Sequence, residues 1–131
     1  MPSIFSEIIA GEIPSYKIGE TDKAYAFLDI SPLHSGHTLV VPKMEVDYIF
    51  DLADEDYQAL MAYSKKVAHA VGKAIPCTRV GVAVIGLEVP HAHVHLIPID
   101  SVSDIDFSRP KLQFPAEEME AIANKIGSYL D

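Results

Sequence analysis

Three histidines at alternate positions, His91, His93 and His95, occupy the run His91-Ala92-His93-Val94-His95-Leu96-Ile97-Pro98. In an extended strand successive side chains alternate faces, so the three imidazoles point one way and Ala92, Val94 and Leu96 the other. Three readings of that pattern stay open. The plainest is a strand carrying half-exposed polar groups. A second is a metal site: alternate residues lie roughly 7 Å apart, so one His-x-His pair can converge on zinc, while His91 and His95, about 13 Å apart at Cα, cannot easily share the ion. A third ligand would then come from elsewhere, such as His37. The remaining reading is covalent catalysis. Neutral imidazole is a good nucleophile towards phosphorus, and the central His93 would be attended by His91 and His95, which orient it and stabilise the phosphorane oxygens without a metal.

The surrounding chain must hold such a strand in place. Ser3 precedes Ile4, Phe5, Ile8 and Ile9 at helical spacing, and Gly11 and Pro14 end that helix. Residues 16–18 and 24–28 are short β-prone runs around a polar turn, which predicts a hairpin, and residues 37–41 form a third strand closed by Pro42. From Asp51 to about Lys73 the spacing is helical, with Leu60, Val67 and Val71 on one stripe and Tyr57, Met61, Ser64 and Ala68 beside it. Asp51 and Asp54 are candidate caps, and His69 on this helix is an ordinary polar side chain. Residues 79–85 are nearly all Val, Gly, Ala and Ile, the pattern of a strand buried on both faces or nearly so. Residues 100–109 have no period and read as a loop. A last helix starts at Pro115, Glu117 and Glu118, with apolar positions at Met119, Ile122, Ile126 and Tyr129. Short strands in hairpins with two longer helices inserted predict an α+β domain on an antiparallel sheet.

Composition narrows the partners. The 131 residues, 49% hydrophobic, are enough for one domain with a sizeable core. Nineteen acidic residues against ten basic ones give a net charge of -9, and no basic cluster stands out. Nucleic acid and anionic membrane need positive charge to displace counterions and are poor partners for such a chain. The single Cys77 excludes an internal disulfide and a multi-cysteine zinc site, in keeping with a reducing compartment. With neither a signal-peptide pattern at the start nor an apolar run of membrane-spanning length, a soluble cytoplasmic protein is expected.

The histidine run resembles the signature of the histidine triad (HIT) superfamily of nucleotide hydrolases and transferases. Other segments match in the same order: Ile4-Phe5-Ser6-Glu7-Ile8-Ile9 with Glu12-Ile13-Pro14, then Ala26-Phe27-Leu28-Asp29-Ile30-Ser31-Pro32, then Gly36-His37-Thr38-Leu39-Val40-Val41-Pro42-Lys43. The resemblance covers residues 3 to 99. It implies a single HIT-like domain over residues 1–131, α+β, with about five antiparallel strands, a long helix between strands and a helix at each end. It further implies a purine nucleotide substrate and a nucleotidyl intermediate on His93, with His91 and His95 as flanking partners and His37 abutting them. Asp29 matches the carboxylate that binds the ribose hydroxyls, and Phe5, Ile8, Phe27 and Ile30 match the apolar walls of the base pocket. A homodimer is implied, and no metal or cofactor. The phosphate end departs from the pattern. Leu87 and Glu88 stand where the family places a glutamine and a serine or threonine that donate to the phosphate. Leucine donates nothing, and an ionised Glu88 would repel a phosphate. The family's asparagine before Gly86 is missing, and Glu45 follows Lys43-Met44 where a histidine is common. A phosphoramidate or a phosphoanhydride is the implied substrate, and a leaving group carrying an amine would suit Glu88.

Overall fold

Ser3 starts the first helix: its hydroxyl accepts from the backbone N–H of Ser6 and caps α1 (Ile4–Ile9). The computed structural model describes residues 2–130. Two antiparallel strands follow, β1 (Lys17–Glu20) and β2 (Ala24–Leu28), and β2 pairs in turn with β3 (Thr38–Pro42). The long α2 (Asp54–Ala74) crosses the sheet before β4 (Arg79–Ala83) and β5 (Val94–Ile99) return antiparallel to one another. α3 (Ala116–Gly127) closes the chain. The five strands lie in the order β1-β2-β3-β5-β4, so β5 is inserted between β3 and β4. The result is the α+β architecture read from the sequence, with an open antiparallel sheet and three helices.

The period of two along the strands sorts side chains into two cores. Ala24, Ala26, Leu28, Val40, Val94 and Leu96 point to the α2 and α3 side, where they meet Leu60, Val67, Val71, Met119 and Ile126. Tyr25, Phe27, Leu39 and Val41 point to the other side and pack with Phe5 and Ile8 of α1. Fully buried aliphatic side chains such as Val94, Leu96 and Val67 each stabilise the fold by about 1.5–3 kcal/mol. Because β3 and β5 pair with Leu39 opposite His95, the odd positions of the histidine run share the α1 side.

Local details differ from the sequence reading. The ordered strand begins at Val94, not at His91: the backbone N–H of His91 bonds the Val89 carbonyl and that of Ala92 bonds the Val46 carbonyl. The period of two nevertheless continues, since Ala92 packs in the core with Val94 and Leu96. Residues 79–85 are not buried on both faces. β4 is an edge strand, paired on one side only, and Val82 and Ile85 are 55% and 46% exposed. Asp51 and Asp54 do not cap α2; Ala53 holds that position without a side-chain bond, and Asp51 ends a 3-10 turn instead. The acidic first turn of α2 is engaged by Lys23, whose Nζ lies 3.1 Å from both Glu55 and Asp56. On α3, Ala123 is buried, while Tyr129 falls past the helix and is exposed.

Gly36 sets the entry to β3 and hence the position of His37. Its φ is +87°, and a Cβ there would sit 2.7 Å from Cγ1 of Ile75. Gly36→Ala should therefore cost about 2–3 kcal/mol, from backbone strain and the clash together. Urea unfolding checks this, and a midpoint equal to that of the wild type would contradict it.

Candidate active site

Hydrogen-bond partners assign the proton on each imidazole, because a carbonyl can only accept and a backbone N–H can only donate. His93 Nδ1 lies 2.8 Å from the His91 carbonyl oxygen, so Nδ1 carries the proton. Nε2 of a neutral His93 is then an unprotonated lone pair. His91 Nε2 donates to the Pro42 carbonyl at 2.8 Å, and its Nδ1 accepts from the Ser3 hydroxyl at 2.7 Å. The His91 ring is fully buried by these contacts and by the edge of Phe5, 5.7 Å away between centroids. Its link to His93 runs through the backbone carbonyl and not through the ring.

A second chain of bonds reaches the same place from β3. The Leu33 N–H donates to His37 Nδ1 at 3.0 Å, so His37 carries its proton on Nε2 and gives it to His95 Nδ1 at 2.9 Å. That leaves Nε2–H of a neutral His95 free to donate. Burial holds both rings uncharged at neutral pH: it pushes His37 down to about 3 and His95 to about 4, helped by neighbouring imidazoles. Burial also lowers His91, against the raising effect of its bond to Pro42. Asp29 Oδ1 accepts from the Ser31 N–H at 2.8 Å, and Oδ2 lies 3.6 Å from His37 Nε2. Burial raises the Asp29 carboxyl above its ordinary value, more than the Ser31 bond lowers it. Asp29, His37 and His95 bring one ligand atom each within 4.8 Å of one another, a donor set that could hold a cation. A cation on His37 Nε2 and His95 Nδ1 would have to replace the hydrogen bond between them.

These groups open into a cleft of about 390 Å³. His37, His93, His95 and Asp29 line it, with Phe5 on one wall and Ile85, Leu87, Glu88 and Val89 on another. The Phe5 ring stands edge-on to His93, 5.0 Å between centroids. Ile8 and Phe27 lie behind Phe5 in the small core, and Ile30, 71% exposed, lines a separate hollow with Tyr16 and Lys17. Among the lining residues that the sequence reading did not place at the site are Phe107 and Lys111, both from the stretch after β5. Phe107 packs its ring against His95 at 4.7 Å between centroids. An aromatic isolated in a polar loop was the available signal.

A model of the HIT domain matches residues 10–102 of the chain. The chain belongs to the HIT domain family. It is 34% identical to an uncharacterized HIT-like protein of Borreliella burgdorferi over 94% of each chain. It is 32% identical to the adenosine 5'-monophosphoramidase of Schizosaccharomyces pombe, with 98% of each covered. Among solved structures, a Hit-like protein from Bartonella henselae superposes with a TM-score of 0.84 at 32% identity, over 98% of this chain and 96% of the other.

In this HIT protein the departures at Leu87 and Glu88 fall on the cleft itself, while Glu45 does not line it. Glu45 Oε1 accepts from the Ser3 N–H at 2.8 Å and from the Ser6 hydroxyl at 2.6 Å, and these bonds hold its carboxyl below the usual range. Glu45 thus fixes the cap of α1, whose Ser3 fixes His91.

The neutral pair His37 and His95 makes stability fall in acid. Below about pH 6.5 the unfolded chain takes up protons on these histidines that the folded chain refuses until about pH 4 and 3, so each pH unit in that window costs up to about 1.4 kcal/mol per ring. The raised Asp29 carboxyl acts in the opposite sense and reduces the net loss. Urea midpoints measured from pH 7 to pH 4.5 should decline steadily; a flat profile would show that the rings are not held neutral.

Proposed function

We propose that the chain is a single-domain nucleotide hydrolase or transferase that cleaves a purine nucleoside monophosphate derivative, a phosphoramidate or a dinucleoside polyphosphate, through a covalent nucleotidyl-histidine on His93. The observation that carries this is the bond from His93 Nδ1–H to the His91 carbonyl, which presents a neutral ring's Nε2 lone pair in a cleft it shares with His95 and Asp29. The phosphoramidase names of the relatives from Schizosaccharomyces pombe and Saccharomyces cerevisiae, 32% and 40% identical to this chain, support it.

In the first displacement His93 Nε2 attacks phosphorus, the bond from phosphorus to the leaving nitrogen or oxygen breaks, and the leaving group departs with a proton taken up from water. In the second, water attacks the phosphorus, the P–N bond to His93 breaks, and a mononucleotide and a proton are released. His95 Nε2–H donates to a phosphoryl oxygen where charge gathers. His37 holds His95 in that tautomer, and His91 holds His93 in its own. Asp29, whose Oδ2 faces away from the Ser31 bond, accepts from the ribose hydroxyls. Phe5 bears on the base, with Ile8 and Phe27 supporting it from behind, while Ile30 stands outside this cleft. Both displacements draw on side chains and water alone. The exposed edge of β4, with Val82, Val84 and Ile85 uncovered, fits pairing with a second copy as a homodimer. The expected setting is the cytoplasm, and among the described residues no helix is long and apolar enough to cross a membrane.

Replacing His93 by Ala should lower turnover of adenosine phosphoramidate by roughly a thousandfold or more while nucleotide binding persists. Mass spectrometry of quenched wild-type protein should find a nucleotidyl adduct that the variant lacks. Undiminished turnover in the variant would end the proposal. A binding module with little chemistry is the second reading, favoured by the absence of phosphate donors at Leu87 and Glu88, and it forms no adduct.

The same two residues predict a gain. The double variant Leu87→Gln, Glu88→Ser should raise kcat/KM on adenosine phosphoramidate by roughly tenfold, as a donor replaces an apolar side chain and a repelling carboxylate is removed. An unchanged rate would mean that these positions do not limit the site.

A further inference from the structure

The cleft presents an unsolved electrostatic problem. Its walls carry the carboxyl groups of Asp29 and Glu88, its buried imidazoles at His37 and His95 are uncharged at neutral pH, and the chain as a whole bears a net charge of -9. A phosphate brought there meets one formal cation among the lining residues, Lys111. This ammonium is held in place by the loop that bears it. Its Nζ donates to the carbonyls of Phe107 at 2.6 Å and Arg109 at 3.3 Å, which uses two of its three N–H groups and leaves one without a protein partner among the described residues.

The loop is fixed on both sides of the site. Phe107 packs on His95, and the Leu112 N–H donates to the Pro32 carbonyl at 2.8 Å, three residues after Asp29. Between them Arg109 Nη1 bonds the Ser103 carbonyl at 2.8 Å and Asp104 at 3.3 Å. Resting on the nucleotide reading above, we propose that Lys111 is the phosphate-binding residue of this cleft, supplying from the segment after β5 the positive charge and donor that positions 87 and 88 lack. The ligand class is a nucleoside 5'-monophosphate, whose phosphate and not its base is the part that Lys111 meets. The free N–H of the loop-held ammonium is the group that meets a phosphoryl oxygen, in a charge-assisted hydrogen bond.

Isothermal titration with AMP and with adenosine tests this on the wild type, Lys111→Met and Lys111→Arg. Lys111 is exposed, so the variants should fold, and their melting temperatures serve as the control. The wild type should bind AMP more tightly than adenosine, by a margin that narrows with added salt. Lys111→Met should lose about tenfold in AMP affinity with adenosine affinity unchanged, and Lys111→Arg should keep most of the margin. Equal losses for AMP and adenosine, or no loss for AMP, would overturn the assignment while leaving the nucleotide site standing. A wild type that binds neither would overturn the nucleotide reading itself and this assignment with it.

Discussion

Burial beside one another holds the His37 and His95 imidazoles uncharged at neutral pH, and the rest of the site depends on that constraint. A neutral imidazole has one proton and one lone pair, so its two nitrogens play different roles and each must be told which to play. Here the instructions come from groups that cannot titrate: the carbonyls of His91 and Pro42 and the N–H of Leu33. Backbone groups are fixed by the fold and do not respond to pH. The tautomers are therefore set by the polypeptide path, and the side-chain chemistry inherits the rigidity of the sheet.

The sheet supplies that rigidity through its other face. Ala92, Val94 and Leu96 are locked among α2, α3 and the neighbouring strands, so shifting this segment by one residue would put imidazoles into the main core. Burying unpaired polar rings there would cost several kcal/mol, which is a strong selection for the observed register. α1 then completes the site from the opposite side. Its cap residue holds His91, its Phe5 walls His93, and Glu45 ties the cap to the segment after β3. A helix of six residues would not persist alone, and here its capping and its packing are part of the site itself.

Much of this was legible in the sequence because it rests on period-two and period-3.6 patterning. The spacing of His91, His93 and His95 gave their common face, and the hairpins and two long helices followed from apolar stripes and Gly or Pro breaks. What the spacing could not show was where strand geometry stops. His91 and His93 alternate correctly although they lie outside β5, and only the hydrogen bonds reveal that His91 works through its carbonyl. The Val-rich stretch at 79–85 misled because apolar residues mark surfaces that can be covered, whether by the same chain or by another. Phe107 and Lys111 were hidden for a different reason. A loop has no period, so its contacts are decided by long-range bonds such as Leu112 to Pro32.

That exposed strand and the cleft are mechanically one element. β4 pairs Ala83 with His95, and the chain then runs straight from the uncovered Val84 and Ile85 through Gly86, at φ +74°, into Leu87, Glu88 and Val89 on the cleft wall. This wall is built from a strand paired on one side only and a glycine turn, whereas the histidines behind it are held by backbone hydrogen bonds. Anything that pairs along β4 would order this wall as well as bury its apolar side chains. Partner binding at the edge and substrate discrimination at positions 87 and 88 would then draw on the same few residues, whereas the nucleophile and its tautomer stay under the control of the core.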